Sequence, residues 1–154
     1  MRLLVAIDGT DASDGALEYA LDIATRLDAT LLLAYVVEPA VHVTDDEGTT
    51  EWTRDPEEAD REETDDRFVR EALEDSRTTG DRLLQEATDR AAGVGVDADT
   101  RLVSGDPTEA LLALAVEAGA DGVVVGHRAP EHELVDSVAR GLIDHSSVPV
   151  TVVT

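Results

Sequence analysis

Leu3-Leu4-Val5-Ala6-Ile7-Asp8-Gly9-Thr10 begins with five apolar residues and stops abruptly at an acid, a glycine and a threonine. A continuous apolar run of strand length is the pattern of a parallel strand buried on both faces. Directly after it, Ala16, Leu17, Ala20, Leu21, Ala24 and Leu27 form a stripe at helical spacing. Asp11 or Ser13 is expected to cap that helix, because a side-chain oxygen can accept an orphan backbone N–H there. Thr30–Val37 is a second buried strand, closed by Glu38-Pro39.

Working outward, the pattern repeats. Val69, Leu73, Ser76, Gly80, Leu83, Leu84, Ala87 and Ala91 line one face of a second helix, with Gly93 as its stop. Residues 96–103 form a third strand, and Asp97, Asp99 and Arg101 suit it to a sheet edge. Gly105-Asp106-Pro107-Thr108-Glu109 is a helix start with Asp106 as N-cap, Pro107 in the first turn and Glu109 closing a capping box. Ala110, Leu111, Leu114 and Ala118 are the buried stripe that follows. Gly122-Val123-Val124-Val125-Gly126 is the fourth strand, and a loop at 127–133 leads to a short helix on Leu134, Val138, Leu142 and Ile143. Val148-Pro149-Val150-Thr151-Val152-Val153 is the fifth strand.

Strands and helices in alternation require a parallel sheet with helices on both faces. Right-handed crossovers then lead to an α/β, doubly wound, five-stranded parallel sheet of order 3-2-1-4-5. The chain reverses direction between strands one and four. Ligands bind such sheets at the carboxyl ends of the strands flanking the reversal. Two segments are thereby nominated, 8–10 and 126–137.

Composition narrows the function classes. The 154 residues suit a single domain, 1–154. Asp and Glu number 35 against 12 basic residues, all of them Arg, for a net charge of −23. A surface this acidic repels phosphate backbones and anionic lipid, so neither nucleic acid nor membrane is an expected partner. Acid excess without Lys also suits a salt-adapted cytoplasm, where a Debye length of roughly 3 Å at 1 M screens self-repulsion. Cysteine is absent, which removes disulfides and thiolate chemistry. The longest apolar runs are strand-sized, and Asp8 interrupts the first before it could serve as a signal peptide, so a cytoplasmic location is expected. Residues 41–67 hold twelve acids and three Arg with sparse apolar content; an acidic, solvated, flexible excursion is expected there, with Trp52 either packed locally within it or serving as an anchor for a partner or a lid over a site.

Taken in order, Val5-Ala6-Ile7-Asp8-Gly9-Thr10, Gly105-Asp106-Pro107, Val123-Val124-Val125-Gly126-His127 and Val148-Pro149-Val150 resemble the universal stress protein family. The resemblance runs nearly end to end and leaves out only the acidic stretch at 41–67. It implies an adenine nucleotide alpha hydrolase-like fold and a candidate nucleotide site of Asp8, Gly9, Val36, Gly105, Gly126, His127, Arg128, Ala129, Ser137 and Val138. Asp8 would lie near adenine and ribose. The implied ligand is ATP with Mg²⁺. In the family's ATP-binding branch the phosphate loop follows glycine-x2-glycine-x9-glycine-Ser/Thr, whose glycines let backbone N–H groups approach phosphate. Here Gly126 matches the first glycine, Ala129 stands at the second, and Asp136-Ser137 aligns with the last pair after only six intervening residues. A carboxylate about 4 Å from a phosphate charge costs on the order of 4 kcal/mol at an effective dielectric of 20. The loop is therefore degenerate, with Arg128 and Arg140 as partial compensation.

The residues also carry simpler duties. Asp8 can serve only to cap the next helix, and Gly9 to make a turn. His127 has no triad pattern beside it, and its spacing to His132 matches no established metal site. No catalytic residue and no metal site are assigned. The expected function is a binding or regulatory stress-response protein without turnover. The alternatives are a structural or partner-docking dimer that binds no nucleotide and, more remotely, an adenylate-chemistry enzyme. Residues 148–153 form an apolar, almost uncharged edge strand, and the resemblance implies a homodimer paired there about a two-fold axis. A further, unidentified protein partner is also expected.

Overall fold

The computed structural model describes residues 1–38, 59–127 and 137–154, with 59–69 as backbone only. In chain order the elements are β1 (Arg2–Ala6), α1 (Asp11–Leu27), β2 (Thr30–Val37), α2 (Ala59–Gly93), β3 (Ala98–Ser104), α3 (Pro107–Glu117), β4 (Gly122–Gly126), α4 (Ser137–His145) and β5 (Val150–Val153). All strand pairs are parallel, and the order across the sheet is β3-β2-β1-β4-β5. The alternation anticipated from the sequence is the one observed, including β3 and β5 at the two edges.

Period-two alternation divides the central strands between two cores. Val5, Leu31, Leu33 and Val124 pack beneath α1 and α2 with Leu17, Leu84 and Ala91. Their neighbours Leu4, Leu32, Val123 and Val125 pack on the opposite face with Leu111, Leu114 and Leu142 of α3 and α4. Aliphatic residues supply nearly all of this burial, which fits a chain with few aromatics.

Several expectations shift in detail. The cap of α1 is Thr10, whose hydroxyl accepts from Ser13 N at 3.2 Å; Asp11 is already the first helical residue, and Ser13 is inside the helix. Leu27 is exposed because α1 ends there: Asp28 turns left-handed at φ 54° and its N–H donates to Ala24 O. Ile143 is exposed too, since Ala139 and Leu142 take the inward face of the nine-residue α4. Strands β3 and β5 begin two residues later than the apolar pattern suggested. Residues 59–67 of the acidic stretch are helical; Ala59 and the two Glu and two Arg among them lose little rotamer freedom in a helix. The rest of that stretch, Trp52 included, lies outside the described residues, as does Leu134.

One close approach positions the carboxyl end of the sheet. A Cβ placed on Gly126 would overlap the carbonyl of Ala12 and approach Ser13 N to 2.8 Å. The first turn of α1 thus rests backbone to backbone on the end of β4. On the other face, Gly141 of α4 lies against Thr108 of α3, where a Cβ would come within 2.6 Å of Thr108 Cγ2. The Ala12 contact involves main chain, so no rotamer change can relieve a larger residue. Gly126→Ala is expected to cost about 1–3 kcal/mol through a forced backbone shift, read as a lower urea midpoint with an unchanged slope.

Candidate functional site

The turn after β1 is built by three polar side chains. Asp8 Oδ1 accepts from Thr10 N at 2.9 Å and from Thr10 Oγ1 at 2.6 Å. Thr10 Oγ1 in turn accepts from Ser13 N. Ser13 is 3% exposed; its Oγ accepts from Asp8 N at 3.0 Å and donates to Ala6 O at 3.4 Å. Every link ties the end of β1 to the first turn of α1. Gly9, between them, sits at φ 82°, a conformation open to glycine and strained for most other residues.

Beside this turn, at the carboxyl ends of β1, β2 and β4, lies a crevice of about 270 Å³. Val36, Val125 and Leu111 give it apolar walls, and Ser13, Ser137 and Thr10 bring hydroxyl-bearing residues to its lining. Its charged lining residues, among those described, are Asp8 and Glu38, both acidic. The amino ends of α1, α3 and α4 border it through Ala12, Pro107 and Ser137.

The structure brings together Asp8, Val36, Gly126, Ser137 and Val138 of the residues nominated from sequence. It places others outside the lining. Gly9 faces α2, where a Cβ would come within 3.0 Å of Leu83 Cδ1. Gly105 turns the chain from β3 into α3 at φ 129°, with its N–H donating to Val37 O at 3.1 Å. His127 donates its backbone N–H to Val153 O at 2.8 Å and borders a different recess with Asp11, Gly15 and Thr154. Arg128 and Ala129 lie outside the described residues, as do Asp136 and His132.

Sequence reasoning did not assign Ser13, Glu38 or Leu111 to the crevice, whereas the loop at 105–107 was expected to face it and Pro107 does line it. Glu38 had a usable signal: it follows β2, which neighbours β1, so its position is also at a carboxyl end. Ser13 was nominated only as a helix cap. Pro107 was recognised as helix punctuation, and its place beside the crevice follows from α3 starting at the carboxyl end of β3.

A doubly wound α/β sheet with a crevice at its reversal point is an architecture whose ligands, where they occur, sit at the carboxyl ends of the strands. A model of the universal stress protein family matches residues 1–154. The chain is 31% identical over 155 aligned positions to universal stress protein YxiE of Bacillus subtilis, covering 99% of this chain and 97% of that one. A crystal structure of a universal stress family protein from Burkholderia pseudomallei is similar with a TM-score of 0.69 at 30% identity, covering 99% of this chain and 94% of the other. A crystal structure of a universal stress protein in complex with cAMP gives a TM-score of 0.64 at 26% identity, covering 100% and 96%. The chain therefore belongs to the universal stress protein family. Among the described residues, no helix is long and apolar enough to cross a membrane.

Ser13 is the point on which the turn closes. Removing its hydroxyl takes away the acceptor of the Asp8 N–H, a net loss of about 0.5–1.5 kcal/mol. Ser13→Ala is expected to lower stability by that amount in urea denaturation, and hydrogen exchange at Asp8 should accelerate.

Proposed function

We propose that this chain is a cytoplasmic stress-response protein that binds an adenine-based ligand in the crevice between β1 and β4 and acts through occupancy rather than turnover. The observation that carries this reading is the crevice itself: apolar walls from Val36, Val125 and Leu111 at the sheet's reversal point. Its volume lies just below the range of about 300–1,000 Å³ usual for small-molecule sites. That size suits one nucleoside-scale molecule. A relative of the same family and fold is described as a complex with cAMP.

Action by binding is supported by the state of two hydroxyls. Those of Thr10 and Ser13 are engaged in the turn that joins β1 to α1. The Thr10 hydroxyl donates to the Asp8 carboxylate while accepting from Ser13 N, and the Ser13 hydroxyl donates to a main-chain carbonyl, so both serve to hold the turn. The remote alternative, adenylate chemistry, therefore has little support. Fit to ATP with Mg²⁺ is poor in the described part of the crevice. Its charged residues are Asp8 and Glu38, and among the described residues no group of three or more acidic or histidine side chains is placed to hold a metal ion. The degenerate glycine pattern after β4 agrees with this.

The reading includes a homodimer paired edge to edge through β5. Val123 N donates to Pro149 O and His127 N to Val153 O, so residues 149 and 153 aim their main-chain groups at β4. By period-two alternation Val150 and Val152 aim theirs away from it, where a second copy would pair.

Thermal melting with millimolar adenosine and adenine nucleotides tests the ligand reading. A rise in Tm with at least one of them is expected, and Val36→Phe, which narrows the crevice, should abolish it while circular dichroism stays native. No rise with any of them would favour the partner-docking alternative. For the dimer, Val152→Pro removes an outward N–H and leaves the ladder to β4 intact. Light scattering should then report a folded monomer; a dimer retained by this variant would move the interface elsewhere.

A further inference from the structure

We infer that the groove between α1 and the last turn of α2 is a docking surface for a basic amphipathic helix of another protein. This goes beyond the crevice and does not depend on its ligand. The groove lies toward the amino end of the sheet, away from Glu38 and His127, where the described chain breaks.

Helices α1 and α2 cover the same core on one face of the sheet. Between the second half of α1 and the end of α2 runs an open groove of about 610 Å³. Leu21, Thr25, Gly93 and Val94 give it an apolar floor. Leu21 is nearly buried, whereas Val94 is 53% exposed with no covering element. The Thr25 hydroxyl donates to Leu21 O at 2.8 Å, so the polar end of that side chain is satisfied by its own helix. A Cβ built on Gly93 would meet nothing within 4 Å, which leaves the α2 wall open to an incoming side chain.

The rim is acidic. Asp14, Glu18 and Asp22 of α1 are all exposed along it. Arg90 reaches across from α2 to Asp14 and Glu18, each at 3.7 Å, and Arg26 holds Asp22 at 3.2 Å. A carboxylate has two oxygens and several acceptor sites, so one such contact leaves each of the three able to take a further cation.

Charge decides between occupants. A second copy of this chain would have to bring a basic ridge, yet the sequence has no Lys and sets 35 acids against 12 Arg. Pairing groove to groove about a two-fold axis would oppose the same carboxylates. Anionic lipid is repelled for the same reason. A helix with apolar residues one turn apart and Lys or Arg beside them answers both features. Its apolar stripe covers Leu21 and Val94, and its cations reach Glu18 and Asp22. Long cationic side chains suit the place, because their methylene stems can lie on the apolar floor while the charge extends to the rim.

Fluorescence anisotropy of labelled helical peptides with the full chain tests this, in salt at which circular dichroism shows the chain folded. The peptides share one pattern, with Leu at i, i+3, i+4 and i+7 and Lys elsewhere, or with Glu replacing Lys, or with Ser replacing Leu. The Leu/Lys peptide is expected to bind about tenfold more tightly than either of the others. Gly93→Trp fills the groove from a position whose φ is not positive. It should weaken that binding about tenfold while circular dichroism stays native. Val116→Ser, at an exposed apolar residue of α3 on the opposite face, should leave the binding unchanged. A Ser/Lys peptide that binds as tightly, or binding that Gly93→Trp moves no more than Val116→Ser does, reduces the effect to general attraction by an acidic surface and overturns the groove. Equal binding of the Leu/Glu peptide overturns the charge argument and the choice of partner with it. No binding of the Leu/Lys peptide at millimolar concentration overturns the proposal outright. None of these outcomes bears on the crevice, which is tested by adenine ligands alone.

Discussion

The approach of α1 to the end of β4 governs the carboxyl end of this sheet. Ala12 and Ser13 lie so near Gly126 that even one methyl group there would collide with main chain. That contact sets where the helix begins relative to the strand. The helix start is also tied to β1 through Asp8, Thr10 and Ser13. Two strands that part company at the reversal point are thereby connected through one helical turn. The crevice wall formed by Ala12, Ser13 and Gly126 is consequently main chain and small side chains, rigid because it is close-packed. A ligand in the crevice would meet a surface fixed before it arrives, which lowers the ordering cost of binding.

Much of the fold was legible because the strands are nearly uninterrupted apolar runs. Such runs cannot face water on either side, so parallel order and two covering layers follow from them. Segments where burial is partial were less legible. The apolar stripe of α1 extends to Leu27, but burial ends with the helix's last turn, and the pattern alone does not contain the left-handed turn at Asp28. Ile143 misleads similarly: in a helix of nine residues, neighbours 142 and 143 point about 100° apart, and only one of them can face the sheet. The first turns of α2 look solvated in composition. A polar, acid-rich sequence carries the same signature whether its backbone is a helix or a loop.

The site divides along a similar line. Asp8, Gly126 and Ser137 were found because topology assigns carboxyl ends to the reversal point, and Val36 and Val138 because the family resemblance implied them. Gly9 lies in the turn after β1 and Gly105 in the turn after β3, yet their positive φ angles serve the backbone, and neither lines the crevice. Sequence spacing does not distinguish a glycine that admits a ligand from one that admits a turn. Gly126 shows the difficulty most clearly. It occupies the first place of a phosphate-loop pattern, and the space its missing side chain leaves is filled by Ala12.

Membership of the family fixes where a ligand would sit more firmly than what the ligand is. The sheet order and the crevice's position follow from apolar burial, which any sequence with these strands would share. Ligand class instead depends on which polar groups remain free after the fold has satisfied its own. Here the fold consumes several: Thr10 and Asp106 take helix-start donors, and Asp8 is spent on its own turn. Global charge adds little discrimination, since a net −23 spread over the surface is screened within about 10 Å at 0.1 M salt. The carboxylates of Asp8 and Glu38 act inside that distance on anything in the crevice. Among the described residues, the polar character of this site is therefore set by a handful of local hydrogen bonds and by the carboxylates of Asp8 and Glu38.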